Sequence, residues 1–157
     1  MMNAVRYGVL FALAILLWAT IESLIGLHDR HIRYHEYLSY FFAIPAVGII
    51  YWGIRSGGDR TGGHIDFRRA FMTGLGITAV AALLCPLVWY VFCEWVNPDF
   101  LGNRIRHAVE AQGMDIRLAT QRFSLRNHLL VSTFSTTVIG AVISLVVAII
   151  VARQKPA

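Results

Sequence analysis

Two carboxyl side chains inside long apolar stretches are the first residues of this chain whose positions suggest chemistry. Glu22 lies near the end of the first apolar stretch, and Glu94 lies near the end of the third. An ionisable group in such a stretch is costly and usually faces a bundle interior or water. The pair could form a site for a cation or a proton. The alternative is a local role, with each carboxyl paired to a cation such as Arg30 or Arg33.

Histidines are concentrated around the connection that follows the first apolar stretch. His28, His31 and His35 lie there, and His31 and His35 share a face if a helix begins at this point. Imidazoles at that spacing can hold a transition metal, with a carboxylate as a further ligand. The chain has no HExxH or CxxC pattern beside them. The alternative is that they are solvated histidines at a membrane interface.

No nucleophile in the chain has an evident base beside it. Ser132 and Ser135 belong to a run of hydroxyl residues in the fourth apolar stretch, close in sequence to His128. Hydroxyls in membrane helices usually bond to carbonyls or to a neighbouring helix, and a hydrated path is the functional alternative. We therefore expect a protein without enzymatic activity and without a cofactor.

Four apolar stretches must position these residues. They run over about 7–27, 37–54, 67–96 and 129–151 of a chain of 157 residues. A helix that crosses the hydrocarbon core of a bilayer takes roughly 20 predominantly apolar residues. The sequence therefore predicts one integral membrane domain, 1–157, of the all-α class, built as a bundle of four transmembrane helices.

The segment between the third and fourth stretches has an amphipathic pattern. Its apolar residues share one helical face: Phe100, Leu101, Ile105, Ala108 and Val109. Its polar residues share the other face: Asn103, Arg104, Arg106, His107 and Glu110. This pattern predicts a helix that lies on the membrane surface and ends before Gly113.

Small residues recur every four positions in two of the stretches. They are Ala70, Gly74, Thr78 and Ala82 in the third stretch, and Gly140 and Ser144 in the fourth. Small side chains let helix backbones approach closely in lipid. The spacing predicts tight helix packing, either within the bundle or between copies of the chain.

The composition restricts the classes of partner. Hydrophobic residues make up 57% of the chain and charged residues 15%, against about 25% charged in a soluble domain. The net charge of +5 comes from arginines beside the apolar stretches, where they face lipid headgroups. We expect membrane lipids as partners and no binding of nucleic acid. Cys85 and Cys93 lie about 12 Å apart on one helix, too far to form a disulfide with each other.

Short motifs along most of the chain resemble a known family. They are Tyr-Trp-Gly-Ile-Arg at 51–55, Gly-Gly-His-Ile-Asp-Phe-Arg-Arg-Ala-Phe at 62–71 with Gly74, Asn-Pro-Asp-Phe at 97–100, and Gly-Ala-Val-Ile-Ser-Leu at 140–145 before a basic tail. Together they resemble the bacterial membrane family catalogued as domain of unknown function 4199. The resemblance implies a four-helix protein of the bacterial inner membrane. It implies no reaction and no catalytic residues.

Three classes of function follow from these patterns. The first is a non-catalytic accessory or scaffold subunit, which acts as a homo-oligomer or with a membrane-protein partner. The second is a small cation- or proton-coupled transporter or channel that uses Glu22 and Glu94. The third is metal binding on the extracytoplasmic side by the histidine cluster. The packing motifs are clearer than any site, so they favour the first class.

Both chain termini are predicted to be cytoplasmic. Four spans place them on one side, where the basic residues lie in short segments next to helix ends and the positive-inside rule acts most strongly. A fluorescent protein fused after residue 157 should therefore fluoresce in the cytoplasm, and alkaline phosphatase inserted within 103–115 should be active. A cytoplasmic signal from the inserted reporter would reverse this topology.

Overall fold

The computed structural model is helical throughout and describes residues 2–28, 31–58 and 65–154. These residues form helices α1 (Met2–Leu24), α2 (Ile32–Ser39), α3 (Ala43–Gly58), α4 (Phe67–Val91), α5 (Phe100–Glu110), α6 (Ile116–Arg122) and α7 (Leu125–Arg153). A 3₁₀ turn, Tyr40–Phe42, joins α2 to α3, and a π-helical turn, Phe92–Val96, extends α4. The predicted all-α class is confirmed. Much of the glycine-rich connection after α3 lies outside the described residues.

Four helical segments are long and apolar enough to cross a membrane. They are Met2–Leu24, Tyr37–Gly57, Phe67–Val96 and Leu125–Arg153. The predicted four-span bundle is therefore confirmed, with α5 as the amphipathic helix between the third and fourth spans. The first and last spans begin earlier than their apolar stretches, because the helices continue through flanking polar residues such as Arg6 and Arg126.

Proline divides the second span into two parts. The backbone N–H of Ala43 bonds to the carbonyl of Tyr40, which gives the tighter 3₁₀ winding just before α3. Pro45 then lies in the first turn of α3, where its missing N–H removes no bond that the helix needs. The 3₁₀ turn places Phe42 against Phe11 of α1, with ring centroids 5.8 Å apart.

The bundle is closed at the end that holds the chain termini, which we call the terminal end. Its core there is a cluster that includes Ile50 and Ile54 of α3, Ile77 of α4, and Val147 and Val151 of α7. Helix α4 packs along both α7 and α1, and α3 contacts all three. We call the opposite end, where α1 ends and α7 begins, the loop end.

The small residues of α4 and α7 lie against each other within one chain. A Cβ added at Gly74 would lie 2.7 Å from the Cβ of Ser144, and one added at Gly140 would lie 2.6 Å from Cγ2 of Thr78. The hydroxyls of Thr78 and Ser144 are 3.3 Å apart and form a buried hydrogen bond. Ala70 and Ala82 are buried on the same helix. Glycine at these two positions therefore sets how closely α4 and α7 approach.

Gly140→Leu is expected to lower the free energy of unfolding by about 2–3 kcal/mol, because the new side chain must displace Thr78 in a packed interface. The measurement is the thermal unfolding midpoint in mild detergent, followed by circular dichroism. Gly102→Leu is the matched control, since a Cβ at Gly102 meets nothing within 4 Å. Equal midpoints for the two variants would show that α4 and α7 do not depend on this contact.

Candidate functional site

A cavity of about 400 Å³ lies toward the loop end of the bundle. Its walls come from α1, Ser39 of α2, the 3₁₀ turn, the start of α3, Trp89 of α4, the start of α5 and one face of α7. The deeper lining is apolar: Phe11, Ile15, Ala46, Ile139, Gly140 and Ile143. The lining nearer the loop end carries polar side chains: Glu22, Ser39, Arg104, His128, Ser132, Ser135 and Thr136. The volume falls in the range of small-molecule sites, roughly 300–1,000 Å³.

Glu22 is a buried carboxyl in the wall of this cavity, with 4% of its surface exposed. The indole N–H of Trp18 and the hydroxyl of Ser39 each donate a hydrogen bond to Glu22 Oε1, both at 2.8 Å. Glu22 Oε2 lies 3.4 Å from Nε2 of His28. A buried carboxyl is tolerated only when hydrogen bonds compensate its lost hydration. These donors provide that compensation and tie α1 to α2.

His28 occupies an aromatic cluster at the loop end and is 1% exposed. Its ring contacts those of Phe92 and Phe100 edge-on, at centroid distances of 5.4 and 4.7 Å. The side-chain amide of Asn103 on α5 donates to the backbone carbonyl of His28 at 3.2 Å. Helix α5 therefore holds the turn after α1 in place, and with it the imidazole beside Glu22.

Aromatic rings also position two further polar groups of the lining. The imidazole of His128 packs edge-on against Trp89, with ring centroids 4.5 Å apart. The guanidinium of Arg104 lies 4.8 Å from the ring centroid of Phe123 and 5.7 Å from that of Phe100. Such cation–π contacts orient a guanidinium without neutralising it. The cavity lining thus carries one carboxyl and one guanidinium, both held by neighbouring side chains.

The hydroxyls of α7 fall into three groups, one of which is Thr136 alone: it lines the cavity and lies 3.5 Å from Cys85 Sγ. Those of Thr133, Thr137 and Ser144 bond back to carbonyls four residues earlier, at 2.8, 2.9 and 2.7 Å. Those of Ser132 and Ser135 line the cavity and form no hydrogen bond with any residue that the structure describes. Back-bonding is the usual way for a helix to satisfy such hydroxyls. Two hydroxyls that face the cavity are therefore available to a ligand.

The cavity opens sideways between the 3₁₀ turn and α7. Tyr40, Val131 and Ile139 line it, yet 76%, 54% and 54% of their surfaces are exposed. Val131 and Ile139 lie about 12 Å apart along the axis of α7. Ile139 is at the middle of the candidate span Leu125–Arg153. In a membrane crossed by these spans, the mouth would therefore reach the depth of the hydrocarbon core, where lipid rather than water would border it.

Comparison with protein families adds one finding. A family model described as a protein of unknown function, DUF4199, matches residues 6–153. This chain belongs to the DUF4199 family. The resemblance seen in the sequence motifs is therefore confirmed, and the match covers the helices that line the cavity. Neither the comparison with curated proteins nor that with solved structures returned a match.

The two carboxyls of the predicted ion site differ in their surroundings in this DUF4199 protein. Glu22 faces the cavity, whereas Glu94 is exposed on the π-helical turn and does not line the cavity. A π-helical turn has i→i+5 hydrogen bonds in place of i→i+4 bonds, and in this one Phe92 and Cys93 are the buried residues. Arg30 and the side chain of Arg33, the alternative partners of Glu22, lie outside the described residues.

The predicted histidine site is divided between two environments. His28 is buried among aromatic rings, whereas His31 is exposed, and the side chain of His35 lies outside the described part of the structure. Among the described residues no group of three histidine, cysteine or acidic side chains is arranged to hold a metal. A metal site that uses His31 and His35 stays a prediction.

Sequence reasoning missed several residues of the site. Trp18 lies four residues before Glu22, a spacing that places the two on one helical face and could have revealed the indole as a donor. Ser39 and Arg104 carry no such local signal. Both come from other helices, and only the packing of those helices brings them to the cavity.

Glu22→Ala is expected to lower the free energy of unfolding by about 3 kcal/mol, because Trp18 and Ser39 lose the acceptor of their buried hydrogen bonds. Glu22→Gln should cost less, since its amide oxygen can still accept from both. Thermal unfolding in mild detergent measures the difference. Glu94→Ala is the control and should change the free energy by less than about 0.5 kcal/mol. Equal losses for Glu22→Ala and Glu94→Ala would contradict the described role of Glu22.

Proposed function

We propose that this DUF4199 protein is a non-catalytic membrane protein that binds a lipid-derived amphiphile in the cavity between α1, α3 and α7. The observation that carries the proposal is the division of the lining into an apolar depth and a polar end. The mouth at Ile139 supports entry from the bilayer. An amphiphile that moves sideways from lipid would place its chain among apolar residues and its head near Ser132.

The groups in the cavity suit binding better than catalysis. The Glu22 carboxyl accepts hydrogen bonds from Trp18 and Ser39 through Oε1, which gives it a structural role between α1 and α2. Ser132 and Ser135 have no hydrogen-bonded base among the described residues. A nucleophilic serine needs such a base within hydrogen-bond reach. The proposal therefore contains no reaction.

Cation or proton transport is a second candidate, supported by the burial of Glu22 beside the cavity. A path from Glu22 to the terminal end would have to cross the apolar cluster around Ile50, Ile54 and Ile77, whose members are buried. Moving an ion through such a layer is costly. This closed layer favours binding over transport. Glu94 is exposed outside the cavity, so it does not extend an ion path from Glu22.

An accessory role in a larger assembly is compatible with lipid binding. The small-residue faces that suggested packing between copies are used within the chain, by Gly74 of α4 and Gly140 of α7. This removes one reason to expect a homo-oligomer, and a membrane-protein partner becomes the form of the accessory proposal. In the bacterial inner membrane with cytoplasmic termini, the loop end and its cavity would belong to the outer leaflet.

Ile139→Trp is expected to reduce the lipid that purifies with the protein several-fold, because an indole at the mouth would fill the entrance. Native mass spectrometry of the protein in mild detergent measures the bound lipid, and it also detects a protein partner. Val138→Trp is the matched control, since Val138 is 45% exposed but lies outside the cavity lining. Bound lipid that is unchanged by Ile139→Trp would exclude this cavity as the binding site.

A further inference from the structure

We infer that the amphiphile has an uncharged head group with a carbonyl or ester oxygen, which accepts hydrogen bonds from Ser132 and Ser135. This inference rests on the proposed function, because it names the chemistry of a ligand in the same cavity. It depends on three features of the lining: the contacts already made by its carboxyl and guanidinium, the two serine hydroxyls, and the length of the apolar wall below them.

The charges of the lining argue against a charged head group. The lining contains the Glu22 carboxyl and the Arg104 guanidinium, and groups of the protein already contact both. Trp18 and Ser39 donate to the carboxyl, and the guanidinium lies against Phe123. An anionic or cationic head would have to compete with these contacts. A charge that enters an apolar site without a matched partner pays a large desolvation penalty.

The serine hydroxyls define what the head group must offer. Ser132 and Ser135 lie about 4.5 Å apart along α7 and both face the cavity. They lack the back-bonds that satisfy Thr133 and Thr137 on the same helix. Each hydroxyl has one donor proton, and a carbonyl oxygen has two lone pairs. One carbonyl or ester group can therefore accept from one or both serines without introducing a charge.

The apolar wall below the serines matches a chain within one leaflet. From Ser132 to Ile143, both of which line the cavity, α7 rises about 16 Å. This is roughly half of a hydrocarbon core that is about 30 Å thick. Phe11 and Ile15 of α1 line the same depth. A head group at the serines would therefore extend its apolar chain toward the middle of the membrane.

Two kinds of membrane lipid carry this chemistry. Glycerides have uncharged ester carbonyls, and isoprenoid quinones have ring carbonyls. The shared requirement is an uncharged carbonyl joined to a long apolar chain. The aromatic rings of Trp89 and Phe100 beside the serines can contact either head group.

The test compares four probes with the same saturated chain: methyl hexadecanoate, hexadecyl sulfate, hexadecyltrimethylammonium and hexadecane. Each competes with a chain-brominated methyl ester that quenches tryptophan fluorescence of the full-length protein in lipid nanodiscs. The background carries Trp52→Phe and Trp95→Phe, because those two indoles are exposed, whereas Trp18 and Trp89 line the cavity. The methyl ester should compete about 10-fold better than each of the other probes.

Serine variants test the named contacts. Combined Ser132→Ala and Ser135→Ala should weaken methyl ester binding about 10-fold, close to the affinity of hexadecane. Combined Thr133→Ala and Thr137→Ala is the control and should leave binding unchanged, since those hydroxyls bond within α7. Stronger competition by the sulfate or the ammonium, or an unaltered affinity in the serine variant, would overturn the inference.

The same experiment separates failure of the inference from failure of the proposed function. Saturable quenching that hexadecane and the ester relieve equally would leave lipid binding intact and refute the carbonyl contact. Absence of saturable quenching by the brominated ester, and also by chain-brominated hexadecane used in its place, would refute lipid binding in the cavity itself. If the ester binds as expected, competition by a diacylglycerol and by an isoprenoid quinone then shows which lipid class supplies the carbonyl.

Discussion

Close packing of α4 against α7 is the constraint on which the rest of the structure depends. Between helices in lipid, burial of apolar surface gives little driving force, so association relies on van der Waals contact and hydrogen bonds. Gly74 and Gly140 permit the approach, and the hydroxyls of Thr78 and Ser144 bond across it. With α4 as the shared neighbour of α1 and α7, α3 fills the space between them at the terminal end and leaves a cavity toward the loop end.

The cavity has an apolar part and a polar part. In the membrane its mouth would lie at the depth of lipid tails, while its loop end carries groups that would otherwise belong in water. The protein satisfies most of these groups itself: Glu22 by Trp18 and Ser39, and Arg104 by contacts that include an aromatic ring. It leaves simple hydroxyls as the groups through which a bilayer-derived ligand can be recognised.

Helix α5 connects the surface of the bundle to this interior. It contributes Phe100 and Arg104 to the lining and holds the turn after α1 through Asn103 and the carbonyl of His28. His28 in turn lies against Glu22. Helix α5 is thereby connected to the buried Glu22 carboxyl through Asn103 and His28. In the proposed binding function, these contacts would position Phe100 and Arg104 of α5 beside the head group of the ligand.

The sequence alone determined the number of candidate spans, the all-α class, the amphipathic helix at 100–110 and the family, because these follow from apolar length, periodicity and local motifs. It also singled out Glu22, since an acidic residue in an apolar stretch is visible without a structure. The tertiary structure decided which polar residues meet. Ser39 and Arg104 reach the cavity from separate helices, and the π-helical turn leaves Glu94 exposed outside it. Local pattern cannot report such contacts, because they depend on the rotation and approach of whole helices, which small residues such as Gly74 and Gly140 set.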